Sequence, residues 1–92
     1  MKNAVMKILV NKGYEVKEDG STLTKCDVIS TCEDGSPKAF ATIELYVEED
    51  ENGKVSVNHK MRAEWVSYDE FVAINDFVRG ELRLVDKLNS IL

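Results

Sequence analysis

Two carboxylates and one lysine are the residues of this chain whose types and spacing best suit chemistry. A tight turn at residues 35–36 would fold the flanking segments into a hairpin that places Asp27 opposite Glu44. The same hairpin places Lys25 opposite Tyr46. Directly opposed side chains of an antiparallel pair share a face, with Cβ atoms about 5 Å apart. Two carboxylates at that distance repel each other unless a cation or a proton lies between them.

A divalent metal is the cation that such a pair suits best. Mg²⁺ takes oxygen ligands and keeps several waters, so Asp27 and Glu44 are the predicted metal ligands. With Lys25 nearby, these three side chains are candidate catalytic residues that would position and activate water against a phosphodiester. The alternative is a solvated acidic pair on a wet sheet face. The geometry alone favours that alternative, because a register error of one residue separates the two carboxylates.

The periodicity of the apolar residues predicts the elements that must position this pair. Residues 1–9 carry an apolar stripe at helical spacing, and Gly13 ends the helix. Alternation then indicates a short strand near residues 14–16 and a second strand over residues 22–31. The predicted hairpin therefore follows an N-terminal helix.

A third and a fourth strand complete the predicted sheet. Residues 39–47 alternate strictly, and their odd-numbered apolar set is expected to face the core. Asn52-Gly53 is a strong hairpin signal, and residues 55–65 then alternate as a fourth strand. A helix from about Met61 remains the alternative for that segment.

A capping box predicts the start of a C-terminal helix. Ser67 and Glu70 have the spacing at which each side chain bonds the other's backbone N–H. Apolar residues then recur at helical spacing as far as Leu92. Gly80 is expected to kink or split this helix, since Gly costs about 1 kcal/mol relative to Ala. A short strand over residues 82–85 is the less favoured alternative.

These elements predict a single α+β domain over residues 1–92. Its order is α-β-β-β-β-α, an antiparallel meander of four strands flanked by an N-terminal and a C-terminal helix. The predicted core consists of Val5, Ile8, Leu9, Ile43, Leu45, Val47, Phe71, Ile74 and Val78.

Composition and charge narrow the classes of function. The 92 residues are 43% hydrophobic and 32% charged, too apolar for a disordered segment and too charged for a membrane span. A net charge of −5 without a dense basic patch disfavours nucleic acid as the partner, which leaves a protein partner or a homodimer. Lys7 interrupts the apolar N-terminal run, and no small-residue cleavage site follows it. We therefore expect no export signal and a cytoplasmic location.

The two cysteines are consistent with a reducing compartment. Cys26 and Cys32 fall on one predicted strand, and six residues of strand span about 20 Å, which is beyond the reach of a disulfide. Both are expected to be reduced and at least half-buried. The sequence contains no Cys-x-x-Cys, no Gly-rich phosphate loop and no Gly-x-Ser-x-Gly elbow, which leaves the carboxylates as the main candidates for chemistry.

Three segments form a recognisable series: Ile8-Leu-Val-Asn-Lys-Gly-Tyr-Glu-Val16, Cys26-Asp-Val-Ile-Ser30 and Ala39-Phe-Ala-Thr-Ile-Glu-Leu45. Together they resemble the core of the PD-(D/E)xK nuclease superfamily, and they are most similar to small endonuclease-like proteins related to archaeal Holliday-junction resolvases. The resemblance implies that Asp27 and Glu44 bind Mg²⁺ and that a lysine assists the attacking water. Tyr46 occupies that lysine position, and Lys25 or Lys60 is the candidate to replace it.

The predicted function is an endonuclease-like domain without efficient nuclease catalysis. Tyr46 offers a phenol where the motif has an ammonium group, and the net charge of −5 repels a polyanion. Two alternatives stay open. One is a small acidic protein-binding or inhibitor protein, such as a phage-type anti-restriction factor or DNA mimic. The other is a homodimeric structural domain that pairs edge strands or the C-terminal helix.

Overall fold

Two helices and one antiparallel sheet make up the fold. The computed structural model describes residues 1–92. The elements are α1 (Lys2–Asn11), β1 (Glu15–Val16), β2 (Thr22–Thr31), β3 (Pro37–Glu49), β4 (Val55–Glu64) and α2 (Tyr68–Ile91). The strands lie in the order β1-β2-β3-β4, and every neighbouring pair is antiparallel. The predicted α+β class and the order α-β-β-β-β-α are confirmed.

The core forms on one face of β3. Successive side chains of a strand point to opposite faces, and the odd-numbered residues of β3 from Ala39 to Val47 are all at most 1% exposed. Both helices contribute to the cluster that buries them. The buried helix residues are Val5 and Leu9 of α1 and Ile74, Val78, Val85 and Leu88 of α2. Both helices therefore cover the same face of the sheet.

The other face of the sheet carries no helix, and we call it the open face. Phe40, Thr42, Glu44 and Tyr46 of β3 lie there and are partly exposed. Antiparallel sheets commonly pack one face on the core and leave the other in contact with water. Any polar site built on this face is therefore shallow.

The turn between β2 and β3 is longer than the sequence predicts. The Cys32 N–H donates to the carbonyl oxygen of Ser36 at 2.8 Å, so five residues close the hairpin. Gly35 adopts a φ of +87°, a conformation that glycine enters without steric cost. Asp34 Oδ1 accepts the backbone N–H of Ser36 at 2.9 Å and stabilises the same turn.

This turn makes the predicted β2–β3 register wrong. Asp27 lies opposite Ala41, and Lys25 lies opposite Ile43 rather than Tyr46. The predicted partner of Asp27, Glu44, is three residues further along β3. Because three is an odd number, side chains expected on one face of the sheet point to opposite faces.

The segment after β3 follows the prediction more closely. β4 is a strand as far as Glu64, so the alternative of a helix from Met61 is wrong. The Ser67 hydroxyl accepts the Glu70 N–H, and Glu70 accepts the Ser67 N–H, which confirms the capping box. α2 continues through Gly80 as one helix, so neither the split nor the short strand at 82–85 occurs. Neither helix combines the length and apolar character needed to cross a bilayer.

Four predictions about burial are wrong. Val5 and Leu9 lie on the side of α1 that packs against the sheet. Ile8 lies to one side of them and is exposed. Phe71 is also exposed, and its ring packs against aromatic neighbours outside the core. The two cysteines are free and exposed rather than half-buried. One lies on the open face and the other in the turn after β2.

Replacement of Leu45 by Ala should lower the free energy of unfolding by about 2–5 kcal/mol, because it removes buried methyl groups and leaves a cavity. Leu45 is 0% exposed at the centre of the core. Val28→Ala, at an exposed position of β2, is the matched control and should cost less than about 1 kcal/mol. Chemical denaturation followed by circular dichroism measures both, and equal losses would contradict the assignment of the core.

Replacement of Gly80 by Ala should raise the free energy of unfolding by up to about 1 kcal/mol, because Ala loses less backbone entropy in a helix. A Cβ atom at Gly80 meets no atom within 4 Å. Gly35→Ala makes the same chemical change at a φ of +87° and should destabilise the protein. A melting temperature lowered by Gly80→Ala would show that α2 needs glycine there.

Candidate functional site

The predicted pair of carboxylates does not form. Asp27 lies opposite Ala41, whose side chain is buried on the face that the helices cover. Glu44 lies opposite Thr24 on the open face. The two carboxylates therefore project from opposite faces of the sheet, and no single metal ion can take ligands from both.

The donor set likewise does not fit the predicted Mg²⁺. No group of three or more His, Cys, Asp or Glu side chains is arranged to hold a metal ion. A lone carboxylate on an open sheet face supplies too few fixed oxygen ligands to bind Mg²⁺ in its octahedral geometry.

Glu44 is instead neutralised by side chains of its own face. Lys17 Nζ lies 3.3 Å from Glu44 Oε1, and the Tyr46 hydroxyl donates to Glu44 Oε2 at 2.6 Å. The hydrogen bond from Tyr46 and then the bond and charge of Lys17 hold the pKa of Glu44 below its usual range. Lys60 lies opposite Glu44 on β4 and adds a further favourable charge. Of the two replacement lysines, Lys60 alone lies on the same face as Glu44.

A shallow groove surrounds this polar cluster. It has a volume of about 690 Å³ and is lined by the β1–β2 connection and by the first residues of β2. Asp19, in that connection, accepts the backbone N–H groups of Ser21 and Thr22. Its carboxylate therefore already closes a turn. Glu15 and Glu18 also line the groove, but no three of these carboxylates are arranged to hold a metal ion.

Lys25 lies in a network of contacts that joins three elements of the fold. Its Nζ lies 2.6 Å from Glu81 Oε1 on α2 and 2.9 Å from the carbonyl oxygen of Lys12. The same ammonium lies 5.5 Å from the centroid of the Tyr14 ring. The Tyr14 hydroxyl donates to Glu81 Oε2 at 3.0 Å, and burial together with that carboxylate raises the pKa of Tyr14. Lys25 thus joins β2, the end of α1 and the middle of α2.

Sequence patterns carry no signal for this network. Tyr14 and Glu81 are 67 residues apart, and the partner of Lys25 is 56 residues away. Tyr14 belongs to the core, whereas the alternation of residues predicts only that it lies near a short strand. The network emerges only when α2 packs across the sheet.

A cluster of three exposed aromatic residues and one exposed valine lies where β4 leads into α2, and we call it the apolar corner. It consists of Trp65, Val66, Tyr68 and Phe71. The rings of Trp65 and Phe71 lie 5.3 Å apart between centroids, and those of Tyr68 and Phe71 lie 6.4 Å apart. Trp65 is nevertheless 48% exposed and Tyr68 is 76% exposed. The sequence patterns placed Phe71 in the core and did not predict this surface.

The second half of β4 is uncovered on the same side of the molecule. Val57 lies on the helix-covered face and is buried, whereas Met61 lies on that face opposite the buried Ile43 and is 45% exposed. α2 reaches Ser30 at one end, through Glu70, and Val57 at the other, through Asn89. It crosses the sheet obliquely and leaves β4 exposed from His59 to Arg62, whereas Ala63 is partly buried against the core.

Replacement of Tyr46 by Phe should raise the pKa of Glu44 toward its usual range, because the largest stabilising contact of the carboxylate is lost. Carbon-detected NMR titration of the side-chain carboxyl measures it, and Tyr68→Phe, which has no contact with Glu44, is the control. Addition of Mg²⁺ should leave the wild-type titration unchanged. A metal-dependent shift at both Asp27 and Glu44 would contradict their placement on opposite faces.

Comparison with protein-family models, with curated proteins and with solved structures found no match to this chain. The resemblance to endonuclease-like proteins therefore stays a prediction from three short segments. Evidence about function therefore comes from the fold and from the placement of individual side chains.

Proposed function

We propose that this chain is a non-catalytic protein-interaction domain that binds its partner through the apolar corner and the bare half of β4. The observation that carries the proposal is a cluster of three exposed aromatic rings, in which Trp65 and Tyr68 both lie against Phe71. Tyr, Trp and Phe are enriched at protein interfaces, where they supply a large contact area at a low cost in conformational entropy. An exposed, contiguous apolar patch marks an interaction site more often than a solvated surface.

The rigidity of this surface also supports the proposal. Phe71 lies in the first turn of α2, and the capping box fixes how that helix begins. Glu70 Oε1 accepts the N–H groups of both Val66 and Ser67, which holds the chain between β4 and α2. A binding surface that is already ordered loses little entropy when its partner docks.

The polar cluster on the open face does not support nuclease chemistry. In-line attack on a phosphodiester needs metal-bound water and a positive charge held where negative charge develops. Glu44 faces Lys17, Lys60 and the Tyr46 hydroxyl, and Asp27 lies on the other side of the sheet. The net charge of −5 further opposes the approach of DNA.

The acidic run Glu48-Glu-Asp-Glu51 at the β3–β4 turn is weaker support for an inhibitor or DNA mimic than the apolar corner is for a protein interface. Asp50 lies within that run, and its carboxylate accepts the backbone N–H groups of Asn52 and Lys54. Part of the negative charge therefore stabilises the hairpin instead of forming a free anionic surface.

Branched, duplex and single-stranded DNA should all stay intact with this protein in Mg²⁺ or Mn²⁺, because the two carboxylates cannot share a metal ion. Gel electrophoresis of labelled substrates over a long incubation measures this. Cleavage that disappears in a folded Asp27→Ala variant, and persists in Glu18→Ala, would show instead that the chain is a nuclease.

A photo-crosslinking amino acid at position 66 should form adducts with a partner protein in native extracts, whereas the same amino acid at position 10 should not. Val66 lies in the apolar corner and is 69% exposed, and Val10 is an exposed valine on α1, at 46%. Mass spectrometry identifies the adduct, and Phe71→Ser should abolish it while circular dichroism stays unchanged. Equal labelling from both positions, or none from position 66, would contradict the proposed interface.

A further inference from the structure

On the outer edge of β4, one residue forms backbone hydrogen bonds with a side-chain amide instead of with a neighbouring strand. The Val57 N–H donates to Asn89 Oδ1 at 2.9 Å, and Asn89 Nδ2 donates to the Val57 carbonyl oxygen at 2.9 Å. A side-chain amide has the same donor and acceptor as a peptide group. Asn89 of α2 therefore occupies the place that a residue of a fifth strand would take beside Val57.

The same edge continues without a partner beyond Val57. In an antiparallel pair the backbone groups of alternate residues point toward and away from the neighbouring strand. The β3–β4 pairing runs without a shift from Glu49 and Val55 to Phe40 and Glu64. The backbone N–H and C=O groups of Val57 point away from β3. The same groups of His59, Met61 and Ala63 therefore also point outward. β4 is the last strand of the sheet, so no strand pairs with these groups.

The side chains of this free segment differ in character between the two faces. Met61 lies on the helix-covered face, and Trp65 of the apolar corner directly follows the end of the strand. Lys60 and Arg62 lie on the open face, opposite Glu44 and Thr42 of β3, and both are exposed. Arg62 Nη2 lies 3.0 Å from Glu64 Oε1 in a solvent-exposed ion pair, which a peptide carboxylate at this edge can join or replace. The edge thus offers backbone hydrogen bonds in the middle, an apolar surface on one side and cationic groups on the other.

We propose that residues 59–63 of β4 accept an extended peptide as a fifth strand, and that this peptide alternates acidic with apolar residues. Its apolar side chains would pack on Met61 and the apolar corner, and its carboxylates would face Lys60 and Arg62. Strand addition of this kind derives affinity from the backbone and specificity from alternate side chains. The inference rests on the proposed interaction function and specifies the chemistry of the partner.

Charge argues against a second copy of the chain as the occupant. If two copies paired all of these outward N–H and C=O groups with each other as antiparallel strands, Met61 of one copy would lie opposite Met61 of the other. Lys60 of each copy then lies opposite Arg62 of the other. Directly opposed like charges destabilise a strand pair. Cationic side chains on an edge strand are a common way to prevent such self-association. An acidic peptide meets the same two cations favourably.

Two capped synthetic peptides test the inference, one of alternating Val and Glu and one of alternating Val and Lys. Fluorescence of Trp65, the only tryptophan, should report binding of the Glu peptide to the intact chain at least about tenfold more tightly than the Lys peptide. The double variant Lys60→Glu, Arg62→Glu should reverse that order. NMR shifts of the backbone amides should be largest at His59, Met61 and Ala63.

A second variant isolates the backbone contribution. Met61→Pro removes one outward N–H group without removing a bond to β3, so it should weaken binding of the Glu peptide while the fold persists. Equal affinity for the two peptides, or shifts confined to the groove around Glu44, would overturn the inference. A dimer in analytical ultracentrifugation that Met61→Pro dissociates would overturn it in favour of self-pairing.

Failure of this inference can be separated from failure of the proposed function. If the Val66 position forms specific adducts and the Glu peptide does not bind β4, the domain binds proteins but not by adding an acidic strand. If neither is observed, both proposals are wrong.

Discussion

Burial of one face of β3 is the constraint on which the rest of the structure depends. Each fully buried aliphatic side chain stabilises a fold by about 1.5–3 kcal/mol, whereas an exposed ion pair contributes about 0–1 kcal/mol. The odd-numbered residues Ala39 to Val47 therefore decide where both helices must lie. Contacts such as Lys17 with Glu44 then form on the face that remains. The polar cluster is a consequence of the packing and does not determine it.

The sequence predicted what depends on neighbouring residues and failed where distant residues must meet. The strand over residues 22–31 and the capping box at Ser67 arise from alternation and from local hydrogen bonds. The pairing of Asp27 depends on the conformation of a turn, and Gly35 with its φ of +87° makes that turn longer than two residues. A register error of an odd number of residues moves each side chain to the opposite face of the sheet relative to its expected partner. The error of three residues therefore eliminates the predicted metal site.

The apolar corner could not be predicted from the sequence for a different reason. An apolar stripe shows which face of a helix is buried, but not how far the surface that it meets extends. α2 has 24 residues and crosses the sheet from Glu70, near the end of β2, to Asn89, near the start of β4. Its first turn and the end of β4 therefore pass beyond the covered area. Phe71 and Met61 satisfy the rules for core residues and are nevertheless exposed.

The hydrogen bonds between Asn89 and Val57 make the edge of the sheet depend on the docking of α2. If the last turns of this helix detach, Val57 loses both partners and the unpaired edge lengthens by one outward residue. Partial opening of this kind requires less free energy than global unfolding. The rate at which the Val57 amide exchanges its hydrogen for deuterium therefore reports the local stability of the C-terminal part of α2. One backbone position thus distinguishes a frayed helix from an unfolded protein.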